Sequence, residues 1–139
     1  MVVFLDTNVI VDYFDQRELF QEAEKIFDFC CLNENQGVVA SLSFSHFFYL
    51  FRKTMTAQDR KEDIRLMTEL FMIASVDEET VKKALALDME DYEDAIQAAC
   101  AERCHARWIV TNNVRDFAKS PVKPITPGDF VKCYCSERR

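Results

Sequence analysis

The sequence predicts an α/β fold built on a largely parallel sheet. Short apolar runs alternate along the chain with longer segments of helical periodicity, which is the pattern of strands joined by helical crossovers. The first run, Val2–Leu5, is continuously apolar and is therefore typical of a strand buried on both faces. The chain has only 2 Gly and 3 Pro, which favours long helices and few elaborate loops.

The first half of the chain predicts two strands and four helices. After the first strand, Asp6 or Thr7 can cap a short helix that ends near Tyr13. An amphipathic helix follows over residues 19–31, and the Asn-Glu-Asn-Gln-Gly segment at 33–37 has turn composition. A short strand at 38–40 precedes an apolar helix over 44–51, for which Ser41 or Ser43 is the predicted cap, and the next helix covers 57–71.

The second half continues the alternation. Met72–Ala74 is predicted as a strand, and residues 78–87 as a helix. The segment 91–104 is a helix whose many alanines allow close packing on a sheet. Residues 108–111 and 124–126 are the last two strands, and Pro127 opens a terminal helix, since proline is tolerated in a first turn.

Composition and charge limit the function. At 139 residues the chain predicts one domain, residues 1–139, with an ordinary 49% hydrophobic and 29% charged content. The net charge of −7 argues against nucleic-acid binding through a simple basic patch. Such binding would need bound cations or a locally basic face. Three pairs of basic residues are candidates for such a face, and each can instead be an ordinary solvated part of the surface. The candidates are the pairs Arg52-Lys53, Arg60-Lys61 and Arg138-Arg139.

The sequence also predicts a cytoplasmic protein. No apolar run approaches the roughly 20 residues of a membrane helix, and the first residues lack the features of a signal peptide. The 6 cysteines fit that compartment as reduced, mostly buried thiols. Cys100 and Cys104 lie one helical turn apart beside His105, so a soft-metal site is an alternative for them, although standard zinc spacings are absent.

Acidic and amide side chains follow two of the predicted strands. Asp6 comes directly after the first strand, and the segment 112–116 follows the fourth. Asp94 lies in the first turn of the alanine-rich helix, three residues after Asp91, which can cap that helix. Ligands of parallel sheets bind beyond the carboxyl ends of the strands, and carboxylates gathered there need a cation. Their hard oxygens suit Mg²⁺ or Mn²⁺, which predicts metal-dependent phosphoester chemistry.

The whole chain resembles a PIN domain, in the bacterial branch that includes VapC-type toxins. The resemblance is carried, in order, by FLDTNVIVD, VASLSFSHFFYLFRK, DYEDAIQAACAERCHARWIVTNNVRDF and PITPGDF. It implies an α/β/α sandwich with a cleft of acidic residues and Mg²⁺- or Mn²⁺-dependent endonuclease activity, usually on RNA, leaving a 5′-phosphate and a 3′-hydroxyl. Many members form homodimers, for which the apolar helix at 44–51 is suited, and toxin members are inhibited by an antitoxin protein that fills the cleft.

The resemblance assigns the site residue by residue. Asp6, Asp94 and Asp116 match acidic positions of the family and are the expected catalytic and metal-binding residues. Asp6 and Asp94 would hold the ion directly, and Asp116 directly or through a water. The remaining polar residues of these motifs would position ligands or the scissile phosphate: Thr7, Asn8, Thr111 and Asn112.

Two positions depart from the family pattern. Asn113 stands where many members have Asp, and can still supply a neutral oxygen or fix a bound water. His46 stands where Glu is common, and three readings are open: an imidazole satisfied by one hydrogen bond in the core or at its rim, a metal ligand, or a general base. Losing a carboxylate there should weaken Mg²⁺ binding.

Two other functions compete with the nuclease. The departures at His46 and Asn113 and the −7 charge favour a catalytically weak PIN domain that binds RNA or protein. Asp6 could instead accept a phosphoryl group, as in haloacid-dehalogenase-like phosphatases. Those enzymes need a second Asp two residues later, where this chain has Asn8.

Overall fold

Parallel strands form the centre of the computed structural model, which describes residues 1–16, 18–32 and 35–135. The strands are β1 (Val2–Leu5), β2 (Gln36–Ala40), β3 (Met72–Ala74), β4 (Trp108–Val110) and β5 (Pro124–Ile125). They make one five-stranded sheet in the order β3-β2-β1-β4-β5, with every neighbouring pair parallel. The predicted α/β class with a parallel sheet is confirmed.

Helices cover both faces of the sheet. They are α1 (Thr7–Phe14), α2 (Phe20–Cys30), α3 (Ser41–Leu50), α4 (Ala57–Leu70), α5 (Glu78–Ala86), α6 (Tyr92–Arg103) and α7 (Pro127–Tyr134), with a short 3₁₀ helix at Val114–Phe117. None of these helices in the described ranges is both long and apolar enough to cross a membrane.

Successive side chains of β1 point to opposite faces of the sheet and so belong to two different layers of the core. Val3 and Leu5 face the layer made by α1, α2, α3, α4 and α7, where Phe47 and Phe130 are fully buried. Phe4 faces the opposite layer, where the alanines of α6 and then α5 pack closely. This arrangement confirms the three-layer α/β/α sandwich.

Most predicted boundaries shift by one or two residues, and three predictions about local structure are wrong: the turn at 33–37, the serine cap of α3 and the side-chain cap of α1, whose N-cap residue Asp6 makes no capping hydrogen bond. Gln36 and Gly37 belong to β2 rather than to the predicted turn. Asn33 and Glu34, the other end of that turn, lie outside the described residues. The predicted basic pair Arg138-Arg139 also lies outside them. Gly37 is buried in β2, and a β-carbon there would meet Phe71 and Cys30 at 2.7 and 2.8 Å.

The predicted serine cap of α3 is also wrong. The helix begins at Ser41 itself, its N-cap position is Ala40, and no side chain caps it. The Ser41 hydroxyl accepts a hydrogen bond from the Val76 amide at 3.1 Å, and Ser43 lies next to Thr7. Both hydroxyls therefore satisfy distant partners, which competes with local capping.

Candidate active site

Asp6 lies where β1 ends, and partners from two other elements hold its carboxylate. Its backbone amide donates to Val110 O at 3.0 Å, which continues the pairing with β4. It occupies the N-cap position of α1, yet its side chain makes no capping hydrogen bond. Instead Gln97 Nε2 donates to Oδ1 at 3.0 Å and Thr111 Oγ1 donates to Oδ2 at 2.8 Å. Both carboxylate oxygens are therefore fixed in orientation.

Burial and hydrogen bonding act in opposite directions on this carboxyl group. Asp6 is only 3% exposed, and desolvation raises its pKa above the ordinary value. The hydrogen bonds from Thr111 and Gln97 lower that pKa, as do the nearby backbone amides of Asn8 and Thr7 at the start of α1. The Asn8 side chain itself is exposed. Burial therefore favours the neutral form of Asp6, and its hydrogen bonds favour the charged form.

Asp94 lies half-buried in the first turn of α6, close enough to the other acids to feel their charge. Its amide donates to Asp91 Oδ1 at 3.1 Å, so Asp91 caps the helix as the sequence predicts. The pKa of Asp94 is raised to about 7, first by desolvation and then by Asp91, Asp6, Asp116 and Glu93. These electrostatic contributions all come from carboxylates, so the site has a surplus of negative charge.

Asp116 approaches from the 3₁₀ helix after β4. It is exposed and lines a cleft of about 820 Å³ together with Asp91, Arg115 and Lys119. Its amide donates to Asn113 O at 3.0 Å, and the Asn113 amide donates to Thr111 Oγ1 at 3.0 Å. The Thr111 hydroxyl thus joins this segment to Asp6.

Thr7 and Asn112, two of the residues predicted to position ligands, make hydrogen bonds inside the protein instead. Thr7 is buried, with its hydroxyl 2.6 Å from Ser43 Oγ and its amide donating to Gln97 Oε1 at 3.2 Å. Asn112 Nδ2 donates to Asp12 Oδ2 at 2.7 Å, which joins the segment after β4 to α1. Asp12, rather than one of the three aspartates, is the partner of Asn112.

His46 contacts an acid of α6. Its Nδ1 lies 3.3 Å from Glu93 Oε1, and its side chain is 36% exposed. The two residues line a surface cavity of about 390 Å³ together with Leu42, Ser45, Tyr92 and Ile96. His46 therefore lies at the rim of the acidic site, next to Glu93, which directly precedes Asp94.

Sequence reasoning missed Gln97 and Ser43. Gln97 is 1% exposed and binds both Asp6 and Thr7 through the two ends of its amide. Its signal was present: it is the polar residue in an otherwise small and apolar run, three residues after Asp94 and so on the same side of the helix. Ser43 carried no comparable signal, because a serine near a helix start is usually a cap.

The donor set suits a hard divalent cation better than a soft one. Within the described ranges, no three His, Cys, Asp or Glu side chains lie where together they could hold a metal ion. A Mg²⁺ ion at this edge of the sheet would therefore be held by one or two carboxylates and several waters, which is a usual ligand set for Mg²⁺. The soft-metal alternative is not supported, because burial raises the pKa of the Cys100 thiol to about 12 and Cys104 Sγ donates to Ala101 O at 3.4 Å.

Comparison with solved structures supports the fold. VapBC2 from Rickettsia felis, bound to a DNA fragment from its promoter, matches with a TM-score of 0.73 and 16% identity over 91% of this chain and 98% of that chain. A toxin–antitoxin complex from Klebsiella pneumoniae matches with a TM-score of 0.68 and 21% identity, covering 90% and 97%. VapC20 of Mycobacterium tuberculosis, a toxin that cleaves the sarcin–ricin loop, matches with a TM-score of 0.67 and 9% identity, covering 86% and 95%.

The sequence comparisons identify the family. No curated protein sequence matches the chain. The family profile of the PIN domain matches residues 2–115, which includes the first strand and the segments that carry Asp6, Asp94 and Asn113. On this match, and with a fold shared with the toxin structures, the chain belongs to the PIN domain family.

Proposed function

We propose that this chain is an endoribonuclease that hydrolyses RNA phosphodiester bonds with Mg²⁺ or Mn²⁺ at Asp6, Asp94 and Asp116. The observation that carries the proposal is the mutual charge of these acids: Asp6 and Asp116 both raise the pKa of Asp94. Carboxylates that repel one another at the carboxyl edge of a parallel sheet are stabilised by a divalent cation. VapC20, which shares the fold, is a toxin that cleaves the sarcin–ricin loop.

Each residue has a distinct role in this proposal. Asp6 and Asp94 bind the cation, Asp116 binds it directly or through water, and Asn113 and His46 are further donors at the rim. When bound, the cation supplies an activated water and positive charge for the phosphate in the transition state. Gln97 and Thr111 orient the Asp6 carboxylate, and the remaining polar residues support the ligands or the scissile phosphate: Thr7, Asn8 and Asn112.

We further propose that residues 1–139 form one PIN domain that acts in the cytoplasm as a homodimer and as the toxin of a toxin–antitoxin pair. The structure from K. pneumoniae that shares this fold is a toxin–antitoxin complex, which supports an antitoxin partner. A short adjacent reading frame whose product copurifies with this chain and inhibits it would support the pairing. Sedimentation of the purified chain tests the homodimer.

Cleavage assays test the nuclease. The parent should cut single-stranded RNA in Mg²⁺ or Mn²⁺ and stop when EDTA is added, and Asp6→Asn and Asp94→Asn should abolish cleavage while circular dichroism shows an intact fold. Glu78→Gln is the matched control, because Glu78 is an exposed acid of α5 paired with Lys82. If both Asp variants cut RNA as well as the parent does, the site assignment is wrong.

A catalytically weak RNA-binding module is the second candidate. His46 favours this candidate, because it stands where many PIN domains have Glu and so adds no carboxylate to the acidic site. Its side chain contacts Glu93 instead. RNA retention without cleavage across a range of Mg²⁺ and Mn²⁺ concentrations would support this candidate over the nuclease.

A further inference from the structure

Asp12 is a buried acid of α1 to which the proposed reaction assigns no role. It is only 5% exposed, and the three residues before it in the helix are buried and apolar. Removing a carboxylate from water is costly unless hydrogen bonds or charges compensate. An apolar side chain would occupy this position without that cost, so packing alone does not account for the acid.

The Asp12 carboxylate contacts the segment that follows β4. Its Oδ2 accepts a hydrogen bond of 2.7 Å from Asn112 Nδ2, which lies 100 residues further along the chain. A carboxylate only accepts hydrogen bonds, so the amide nitrogen of Asn112 must face it. The Oδ1 atom of the same amide is then buried and has no hydrogen-bond partner in the described ranges. Because an unsatisfied buried acceptor is unfavourable, the contact with Asp12 fixes the orientation of Asn112.

We call residues 111–117 the post-β4 segment. Its start is anchored twice, because Thr111 Oγ1 donates to Asp6 Oδ2 at 2.8 Å and Asn112 donates to Asp12. Its last residue, a phenylalanine, is fully buried. The acid of this segment, at position 116, lies between these anchors and is exposed. Its place at the acidic site therefore depends on the contacts at the two ends of the segment.

Asp12 acts on the site at a distance. In the described part of the chain, the cleft that holds Asp116 is lined by residues 88–91, 115, 116, 118 and 119. Asp12 is not among them, so its carboxylate acts on the cleft through Asn112 rather than by contact.

We propose that Asp12 is a positioning residue for the nuclease: by holding Asn112, it keeps the post-β4 segment, and with it Asp116, where the cation binds. The inference rests on the proposed function, in which Asp116 is a ligand of that cation. A displacement of a reacting group by about 1 Å can lower a rate about 100-fold, so a contact away from the chemistry can control it. This anchor can be removed without removing a proposed metal ligand, which the Thr111 anchor does not permit.

Mn²⁺ titrations in the absence of RNA, measured by calorimetry, test Asp12 without a catalytic readout. Asp12→Ala removes the acceptor and should raise the Kd for Mn²⁺ about 10- to 100-fold, the range for loss of a residue that orients a metal site. Asp12→Asn should retain most of the parent's affinity, because its amide oxygen can still accept from Asn112. At saturating Mn²⁺, Asp12→Ala should lower kcat with little change in KM for RNA, since Asp12 does not line the cleft.

Hydrogen exchange in EDTA tests the position of the post-β4 segment without metal. The amides of Asn113 and Asp116 are hydrogen-bonded within the segment, to Thr111 Oγ1 and Asn113 O. Both should exchange faster in Asp12→Ala than in the parent, while the amides of α5 keep the parent's rates. Asn112→Ala removes the donor and should have the same effects on exchange and on Mn²⁺ affinity, so it carries the test if Asp12→Ala does not fold. The double variant should add little, because both changes remove one contact.

Tyr134→Phe is the matched control. The Tyr134 hydroxyl accepts from Trp108 Nε1 at 2.9 Å, at the opposite end of β4, so this variant also loses a hydrogen bond to that strand. It should lower the Tm and leave the Kd for Mn²⁺ and the exchange of the post-β4 segment unchanged. If Asp12→Ala lowers the Tm in the same way but binds Mn²⁺ as tightly as the parent, Asp12 is only structural and the inference is overturned.

The two proposals fail in different ways. If the parent binds no Mn²⁺ and cuts no RNA, the nuclease proposal fails, and hydrogen exchange alone then decides whether Asp12 holds the post-β4 segment. If the parent binds Mn²⁺ and cuts RNA, and Asp12→Ala and Asn112→Ala do so equally well, the inference about Asp12 alone fails.

Discussion

At the scale of single residues, Gln97 organises the candidate site. One end of its buried amide donates to Asp6 and the other accepts from Thr7. The side chain therefore fixes both the acid and the first turn of α1 from a helix about 90 residues away along the chain. It acts on the site by positioning Asp6.

Replacing Gln97 with Leu should weaken both the fold and the activity. The change leaves the Thr7 amide and Asp6 Oδ1 without this partner, which costs about 1–3 kcal/mol of unfolding free energy. Loss of an outer partner of a metal ligand lowers activity by about 10- to 100-fold. Urea denaturation and cleavage rates check these two effects, and Gln58→Leu, at an exposed position of α4, is the control. Unchanged activity of Gln97→Leu would show that Gln97 does not position Asp6 for catalysis.

The pKa of Asp94 predicts how stability depends on pH without divalent cations. That pKa, about 7 in the folded chain, lies above the ordinary value of 3.8, so the folded state binds the proton more tightly. The contribution of Asp94 to stability therefore falls as pH rises from about 4 to about 7. Asp94→Asn should have a higher Tm than the parent at pH 8 in EDTA and nearly the same Tm at pH 4.

An acid with the opposite shift provides the control for this measurement. The pKa of Asp77 is lowered to about 2, first by the Thr80 amide and then by Arg103, so its charge stabilises the fold above pH 3.8. Asp77→Asn should therefore lower Tm at pH 8, an effect that diminishes as pH falls towards 2. A Tm of Asp94→Asn below that of the parent at pH 8 would contradict the raised pKa.

At the scale of elements, β2 shows how packing can override local composition. Gly37 is the last residue of a segment of turn composition, yet it pairs with Val3 of β1, and there its backbone passes close to Phe71 and Cys30. A glycine usually read as a turn signal here permits close approach in a strand.

Gly37→Ala should destabilise the chain by about 1–3 kcal/mol, the usual cost of overpacking a core. The added β-carbon would lie 2.7 Å from the Phe71 ring and 2.8 Å from Cys30 Sγ, both of which are buried. Gly128→Ala is the matched control: nothing lies within 4 Å of its added β-carbon, and alanine in a helix stabilises by about 0.4–1 kcal/mol. Denaturant unfolding of the two variants checks the opposite signs; a neutral Gly37→Ala would show that Phe71 yields.

At the scale of the whole molecule, the sheet order brings the acids together. Strands β1 and β4 are parallel neighbours, so their carboxyl ends lie side by side. The segment after β4, which carries Asn113 and Asp116, therefore lies beside Asp6. Helix α6 crosses the face of these strands and adds Asp94. The result is a concentration of negative charge at one edge of the sheet.

Divalent cations should stabilise the folded chain. A ligand that binds only the folded state adds about 2.7 kcal/mol at 100 times its Kd. We expect Mg²⁺ or Mn²⁺ to raise the parent's Tm at pH 7 and to have little effect on Asp6→Asn. Thermal scans at matched ionic strength, with KCl as the control salt, check this; equal shifts in both proteins would place the bound cation elsewhere.

The sequence by itself determined the alternation of strands and helices and the positions of Asp6 and Asp94 at element ends. These features follow from apolar runs, helical periodicity and the Asp91 cap, which are all local. Only the tertiary structure decided the partners. Gln97, Ser43 and Glu93 reach Asp6, Thr7 and His46 across distant segments, and those contacts exist because the sheet order places the segments side by side. Local sequence specifies how an element begins and ends, whereas the contacts made there depend on which other elements pack against it.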